Sequence, residues 1–183
     1  MERVNKQRLI ERTIECLSPP AQPVLVVTSR EQFDSIAAAQ LKVKVVVDVC
    51  PGRGALGGIY TGLICADSFY SLVVGCDMPF LNRDLLCYIV DRIAGFDAVV
   101  PKVHDMVEPL HAIYSKNCLG SIRRMMEEDR LEISPLFSLV NTRYIGEEEL
   151  VKFDPEHLSF FNINTVADLR KARQLIKVEE RCL

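Results

Sequence analysis

Continuous apolar runs alternate with amphipathic segments along most of the chain. Three runs, at residues 23–28, 43–47 and 70–74, are apolar without the alternation of a half-exposed strand, so we predict strands that are buried on both faces. Helical spacing of apolar residues predicts helices at residues 8–17, 31–40, 59–66, 81–93, 117–128 and 166–176. Strands that alternate with helices predict a three-layer α/β domain with a mainly parallel sheet.

The second half of the chain continues this alternation with shorter strands. We predict strands at residues 98–101, 108–114 and 142–145, a polar loop at 102–107 and a short helix at 133–139. The sequence contains no internal repeat and no linker rich in Pro, Gly or Ser. We therefore expect residues 1–183 to form a single domain.

One carboxylate stands at a position where α/β sheets bind ligands. Asp77 comes directly after the strand at 70–74 and before a helix, and Asp48 follows the strand at 43–47 in the same way. Ligands bind at the carboxyl ends of such strands, and a carboxylate there suits a hard cation such as magnesium. Alternatively, Asp77 caps the following helix, although Asn82 is closer to its start.

The loop at residues 51–58 contains four glycines in eight residues. Such a loop lets the backbone approach a ligand closely, and the N-terminus of a helix behind it offers amides to an anion. The alternative is a flexible connection. The loop matches neither the P-loop nor the dinucleotide fingerprint.

Four further residues are candidates for chemistry or binding. Cys76 has no obvious histidine partner, so we do not expect it to be a nucleophile. His111 lies in a predicted strand, where a structural role is the more common one. Asn162 and Asn164 are two residues apart and would point the same way in an extended segment, which suggests a paired polar contact to a ligand. Turn formation explains either asparagine equally well.

Composition and charge exclude several classes of protein. The chain has 183 residues, 49% hydrophobic and 26% charged, and a formal net charge of -3, so no basic field indicates a nucleic-acid partner. The sequence has seven cysteines, an odd number, and no pair has CxxC spacing, which argues against a zinc site or a disulfide framework. Reduced thiols in a cytoplasmic protein fit this pattern best. We expect no membrane span and no secretory signal.

Four segments together resemble the MobA-like nucleotidyltransferases, in family order and spacing over nearly the whole chain. Residues 48–59 (DVCPGRGALGGI) resemble D-x-x-P-G-x-G-P-L-x-G-I, and residues 75–81 (GCDMPFL) resemble C-D-M-P-F/L. Residues 108–114 (EPLHAIY) resemble E-P-L-x-A-x-Y, and residues 161–169 (FNINTVADL) resemble N-I-N-T-x-x-D-L. The resemblance implies a Rossmann-like α/β/α fold of the nucleotide-diphospho-sugar transferase type.

The resemblance also implies a reaction. GTP and molybdopterin, or its molybdenum-loaded form, would give the guanine dinucleotide cofactor and pyrophosphate, with Mg²⁺ on the phosphates. By this resemblance Asp77 is the catalytic, metal-binding aspartate, and it lies on the nucleotide side together with Asp48. Ser29 matches a nucleoside-contacting position loosely. Asn162 and Asn164 match residues on the pterin side.

Two alternatives remain open from the sequence. One is a related transferase that uses CTP or another phosphorylated acceptor. The other is a non-catalytic protein that holds the pterin cofactor and passes it to a molybdoenzyme or another maturation factor. Intact Asp48 and Asp77 count against the second alternative, because a carrier has no need of a metal-binding aspartate.

One family element has no counterpart in this sequence. Family members begin with a strand and a glycine-rich signature, L-A-G-G-x-S-x-R-M-G-x-x-K, whereas residues 8–12 here resemble the P-L-I-E-R that follows it. Deletion of that strand would leave unpaired backbone and a void in the core, and would remove the triphosphate cradle. Either the protein has roughly 20 further residues upstream, or it is a remnant that folds differently and has lost transferase activity.

Overall fold

A computed structural model describes residues 3–4, 7–18, 21 and 23–179, with side chains for 8–18, 21 and 23–176. The strands are β1 (Arg3–Val4), β2 (Gln7–Arg8), β3 (Leu25–Thr28), β4 (Lys44–Val47), β5 (Tyr70–Val74), β6 (Ala98–Val103), β7 (Met106–Val107), β8 (His111–Ser115) and β9 (Thr142–Ile145). The α-helices are α1 (Leu9–Leu17), α2 (Arg30–Ala37), α3 (Gly54–Cys65), α4 (Arg83–Val90), α5 (Cys118–Glu127), α6 (Glu147–Leu150) and α7 (Val166–Glu179). Short 3₁₀ helices occupy Ser134–Ser138 and Leu158–Phe160.

The strands form two separate sheets and one small hairpin. A five-stranded sheet has the order β5-β8-β6, with β9 and β7 both on β6. Strands β3 and β4 form a parallel pair of their own, and β1 pairs with β2. Within the larger sheet β8 is antiparallel to β5 and to β6, whereas β9 is parallel to β6. Strands β5, β6 and β9 therefore run in one direction and β8 in the other.

Helix α3 fixes the direction of β5 relative to β4. Lys44, at the start of β4, donates from Nζ to the Cys65 carbonyl at the end of α3 (3.1 Å). Because β5 follows α3, β5 begins at the same end of the domain as β4. Strands β3, β4, β5, β6 and β9 thus share one direction, which confirms the mainly parallel arrangement, whereas β8 and the short β7 run the other way.

Two apolar layers cover the faces of the five-stranded sheet. Successive side chains of a strand point to opposite faces: Ala112 and Tyr114 of β8 pack in a cluster with α3 and α5. Ile113 packs instead in a cluster with α4. The predicted three-layer α/β architecture is confirmed.

Burial differs between the two sheets, and here one expectation was wrong. Strand β8 is buried throughout, and β6 nearly so. The runs that we expected to be buried on both faces, β3, β4 and β5, are largely half-buried. The structure gives the cause, because a groove of about 750 Å³ separates β3 from β5. Among the described residues, this groove separates the β3–β4 pair from the five-stranded sheet.

Most predicted elements are present within a few residues of their expected ends. Helix α3 begins at Gly54 rather than at residue 59, so three glycines of the predicted loop at 51–58 lie inside it. Residues 102–107 are not a loop, since β6 continues to Val103 and pairs with β7. Helix α6 was not anticipated. In the part of the chain that the structure describes, no helix has the length and apolar character needed to cross a membrane.

Candidate active site

The carboxyl ends of three parallel strands bring Ser29, Asp48 and Asp77 to the same edge of the domain. The amide of Asp48 donates to the carbonyl of Thr28 (2.8 Å), so Ser29 and Asp48 follow directly paired positions of β3 and β4. Asp77 follows β5, on the far side of the groove. Asp48 and Asp77 thus follow the carboxyl ends of their strands, and Ser29 follows β3 in the same way.

Asp77 is half-buried, and its position depends on the glycine two residues before it. A Cβ atom on Gly75 would lie 2.6 Å from Oδ1 of Asp77, so a side chain at position 75 would displace the carboxylate from the end of β5. The capping role that we considered for Asp77 belongs to Asn82, whose Oδ1 accepts from the Leu85 amide (3.0 Å). The Asp77 carboxylate is therefore not used to cap α4.

The predicted pterin-side segment contacts the Asp77 loop directly. The amide of Ile163 donates to the Asp77 carbonyl (3.0 Å), and the rings of Phe80 and Phe161 meet edge to face, 5.8 Å between centroids. Asn162 and Asn164 flank Ile163 and so lie beside Asp77 in space, although 85 or more positions separate them in sequence.

The two asparagines differ in exposure. Asn162 is half-buried and donates from Nδ2 to the Phe160 carbonyl (3.4 Å), whereas Asn164 is exposed. Thr165, rather than Asn164, caps α7: its Oγ1 accepts from the Asp168 amide (3.1 Å), and its own amide donates to Asp168 Oδ2 (2.8 Å). The Asn164 side chain is thus not needed to begin the helix.

Asp48 has a structural task in addition to any contact with a nucleotide. Its Oδ1 accepts from the Cys50 amide (2.9 Å) and from the Thr61 hydroxyl (2.6 Å). These bonds shape the turn after β4 and hold α3 against it. Ser29 is exposed, and its hydroxyl bonds the Glu31 carboxylate, which lowers the pKa of that carboxyl.

The glycine-rich loop places the start of α3 at the same edge. Gly52 and Gly54 have positive φ angles of 80° and 58°, which other residues rarely adopt. Arg53 occupies the N-cap position without a side-chain capping bond, and pairs with Asp129 (2.5 Å). The first turn of α3 therefore presents its amides at the edge without a side-chain cap, as an anion site would need.

Cys76 and His111 do not have the environment of catalytic groups. Desolvation of the sulfur, and then the Asp77 carboxylate, raise the pKa of the Cys76 thiol, which disfavours the thiolate. His111 is fully buried with its ring 5.0 Å from that of Phe160, and burial lowers its pKa to about 4. Its imidazole is therefore neutral and structural, as we expected.

Glu108 is a residue of this edge to which sequence analysis gave no role. The Gly75 amide donates to the Leu110 carbonyl, and the His111 amide donates to the Glu108 carbonyl, so the turn at 108–110 lies beside the end of β5. Burial raises the pKa of the Glu108 carboxyl. Its position at the head of the E-P-L segment was the signal that pointed to it.

The donor set at this edge suits a hard cation held largely by substrate. Among the described residues, no three His, Cys, Asp or Glu side chains converge as a metal cluster. Asp77 stands as a single half-buried carboxylate. Mg²⁺ is commonly bound through one or two carboxylates together with phosphate oxygens and water. A divalent cation bound at Asp77 would therefore take further ligands from water or phosphate oxygens.

Comparison with known proteins finds relatives that share one description. A probable molybdenum cofactor guanylyltransferase from Peptoclostridium acidaminophilum is 34% identical over 184 residues, which cover 97% of this chain and 81% of that protein. A protein of the same description from Pelotomaculum thermopropionicum is 32% identical, over 93% of this chain and 81% of the relative.

Two solved structures are similar to this chain in fold. The molybdopterin-guanine dinucleotide biosynthesis protein A of Archaeoglobus fulgidus superposes with a TM-score of 0.83 at 30% identity, over 97% of this chain and 89% of that one. The 4-diphosphocytidyl-2C-methyl-D-erythritol synthase of Anaerococcus prevotii shares the fold, with a TM-score of 0.73 at 15% identity. The family model of the MobA-like NTP transferase domain matches residues 1–139. The chain belongs to the family of MobA-like NTP transferase domains.

Proposed function

We propose that this protein transfers GMP from GTP to molybdopterin or its molybdenum-loaded form and releases pyrophosphate. The observation that carries the proposal is the hydrogen bond from the Ile163 amide to the Asp77 carbonyl (3.0 Å). It joins the loop that would hold the metal and nucleotide to the segment that would hold the pterin. The names of the relatives, which describe guanylyltransferases of the molybdenum cofactor, support the same reaction.

In this reaction an oxygen of the pterin's terminal phosphate forms a bond to the α-phosphorus of GTP. The bond from that phosphorus to the β-phosphate bridging oxygen breaks, and pyrophosphate leaves with the electron pair. Bound Mg²⁺ would neutralise the phosphate charge. Asp77 would hold the metal, Asp48 and Ser29 would lie on the nucleotide side, and Asn162 and Asn164 would orient the pterin beside it.

The substitution Asp77→Asn tests the proposal. It removes the anionic ligand while keeping the side-chain shape, so we expect GMP transfer to fall by roughly 100-fold or more. The matched control is Asp84→Asn, which changes an exposed carboxylate in the first turn of α4. The measurement is pyrophosphate release with GTP, molybdopterin and Mg²⁺, together with molybdopterin binding.

The outcomes separate the proposal from its rivals. Transfer that is lost in Asp77→Asn and kept in Asp84→Asn, with molybdopterin still bound, supports the proposal. Equal turnover in both variants would contradict the assignment of Asp77 as a metal ligand. Binding of molybdopterin without transfer in the unmodified chain would favour a carrier. Faster turnover with CTP would favour a cytidylyltransferase.

A further inference from the structure

The turn before β8 carries a half-buried carboxylate, that of Glu108. No described residue donates a hydrogen bond to this carboxylate or forms an ion pair with it. Lys102, on the neighbouring strand β6, pairs instead with Asp105 (2.8 Å between Nζ and Oδ1). Withdrawing a carboxylate from water costs free energy unless another group replaces the water. The position of Glu108 therefore suits a partner that a bound ligand supplies.

The turn that carries Glu108 is held by main-chain bonds alone. Its amide donates to the Pro101 carbonyl (3.0 Å), and its carbonyl accepts from the His111 amide (3.0 Å). The Gly75 amide donates to the Leu110 carbonyl (3.0 Å), which ties the turn to the carboxyl end of β5. The Glu108 carboxylate takes no part in these bonds, so the shape of the turn does not require it.

The strand register shows on which face of the sheet Glu108 lies. The bond from its amide to Pro101 continues the antiparallel ladder between β6 and β7. Val107 packs in the layer with α3 and α5, and the next residue of an extended strand lies on the opposite face. Glu108 therefore lies on the face that α4 covers, together with Val99 and Val103 of β6.

The segment assigned to the pterin side crosses the same face. The Phe160 ring packs in the cluster with α4, with its centroid 5.0 Å from that of His111 at the start of β8. Three residues later, the Ile163 amide donates to the Asp77 carbonyl (3.0 Å). Asn162 lies between these two contacts. The turn before β8 and the pterin-side segment therefore meet on one face, beside the end of β5.

The proposed nucleotide side lies on the other side of β5. Ser29 and Asp48 follow β3 and β4, which the groove separates from β5. Glu108 comes just before β8, the strand that pairs with β5 away from the groove. Asp77 follows β5 and stands between the two sides. A ligand that contacts Glu108 is therefore placed as the acceptor rather than as the base of the nucleotide.

The chemistry of a carboxylate selects the part of the acceptor that it contacts. Its negative charge repels phosphate, and its two oxygens accept hydrogen bonds. The aminopyrimidinone ring of a pterin presents two neighbouring donors on one edge, the 2-amino group and a ring N–H. A carboxylate accepts two such parallel bonds at once, as it does from a guanidinium group. Guanine carries the same donor pair, so position rather than chemistry favours the pterin.

We propose that Glu108 is a specificity-determining residue for the acceptor, and that its carboxylate accepts hydrogen bonds from the 2-amino group and the adjacent ring N–H of the pterin. The inference rests on the proposed GMP transfer for the identity of the acceptor. Asn162 would contact the same ligand from the neighbouring segment. The bound pterin then supplies the partner that Glu108 lacks within the described part of the chain.

The test compares Glu108→Gln with Glu148→Gln, a matched change of an exposed glutamate in α6. Fluorescence titration gives dissociation constants for 6-hydroxymethylpterin phosphate and for the corresponding lumazine phosphate, in which oxygen replaces the 2-amino group. We expect the unmodified chain and Glu148→Gln to bind the pterin at least roughly tenfold more tightly than the lumazine. Glu108→Gln should lose this preference, because a neutral amide has one acceptor oxygen and cannot accept both bonds in the same way.

Three results would overturn the assignment of Glu108. One is an equal pterin-to-lumazine ratio in Glu108→Gln and in the control, and another is the absence of pterin binding in the unmodified chain. The third is a changed preference for GTP over ITP, whose base lacks the 2-amino group, with an unchanged pterin preference. Glu108 would then contact the nucleotide. A merely structural glutamate would lower the melting temperature of Glu108→Gln and leave both ratios unchanged.

Failure of the proposed transfer is a separate result. Pyrophosphate release with GTP, molybdopterin and Mg²⁺ is measured on the same three proteins. A chain that prefers pterin to lumazine through Glu108 but releases no pyrophosphate supports the assignment of Glu108 and contradicts the transferase. A chain that transfers GMP with equal pterin-to-lumazine ratios in both variants supports the transferase and contradicts the assignment of Glu108.

Discussion

The closed part of the sheet and the β3–β4 pair are built from similar apolar sequences, yet they are packed differently. Strand β8 is buried at all five positions, with Ala112 and Tyr114 fully enclosed between the two helix layers. Strands β3 and β4 contain five valines between them, but most of their residues stay half-buried. The difference lies in the neighbouring strands: within the part of the chain that the structure describes, β8 has a strand on each side and β3 has one.

This contrast shows that apolar character alone does not bury a strand. A central strand is covered by helices above and below and by strands at both edges. If one neighbouring strand is missing, backbone groups and side chains face a groove instead of a paired partner. The proposed active-site edge spans this boundary, since Asp77 follows the closed sheet and Asp48 follows the open pair.

We expect the largest effect in a matched pair of side-chain truncations, one in the closed sheet and one in the β3–β4 pair. Leu85→Ala removes a fully buried side chain that packs under the closed sheet, and we expect it to lower the free energy of unfolding by about 2–5 kcal/mol. Leu25→Ala removes a half-buried side chain from the open pair, and we expect a loss of roughly 1 kcal/mol. Urea unfolding of both variants measures the difference.

Equal losses in the two variants would contradict the comparison. They would show that the groove closes in solution and that β3 is packed as tightly as β8. A larger m-value in Leu25→Ala alone would instead report a change in exposed surface rather than in packing.

A second test uses the buried histidine of the closed sheet. Burial lowers the pKa of His111 to about 4 in the folded state, against 6.5 in an exposed histidine. As pH falls below 6.5, the His111 imidazole binds a proton in the unfolded chain but stays neutral in the folded protein. Stability is therefore lost as pH falls from about 6.5 to 4, at up to about 1.4 kcal/mol per pH unit and about 3 kcal/mol in all.

The variant His111→Leu keeps a similar volume and removes the titrating group. We expect its free energy of unfolding to depend less on pH between 6.5 and 4, while the values above pH 7 stay within the range of an ordinary core substitution. Chemical denaturation at several pH values provides the measurement. Identical pH profiles for the variant and the parent would show that water reaches His111 and that the closed sheet is not sealed at this position.

The sequence predicted the positions of the helices and strands far better than the direction and pairing of the strands. Apolar periodicity located every main strand and helix, and Asn82, which the sequence offered as the alternative to Asp77, is the residue that caps α4. Periodicity carries no direction, so the reversal of β8 was not predicted. Three glutamates open α6, where charge at the start of a helix rather than an apolar face stabilises the turn.

The candidate site was predictable where a strand end and a motif coincided, as for Asp77 and Asp48. The contact between Ile163 and Asp77 was not predictable from residue patterns, because it joins segments far apart in sequence through backbone atoms. The start of α3 was misplaced because glycine disfavours a helix. Packing of α3 against β3, β5 and α5 overrides that preference.

The smallest expected effect comes from two adjacent glycines of α3, the helix that spans both regions. A Cβ on Gly57 would lie 2.8 Å from the Cys50 carbonyl oxygen, so Gly57→Ala forces backbone to shift and should cost about 1–3 kcal/mol. A Cβ on Gly58 enters the open groove, so Gly58→Ala should stabilise the helix by up to about 1 kcal/mol. Thermal unfolding measures both.

If Gly57→Ala lowers the stability and Gly58→Ala raises it, the boundary between close packing and the open groove lies within one turn of α3. Destabilisation by both substitutions would mean that the space beside Gly58 is already filled in solution. Gly58 therefore reports directly whether the groove beside α3 is open in solution.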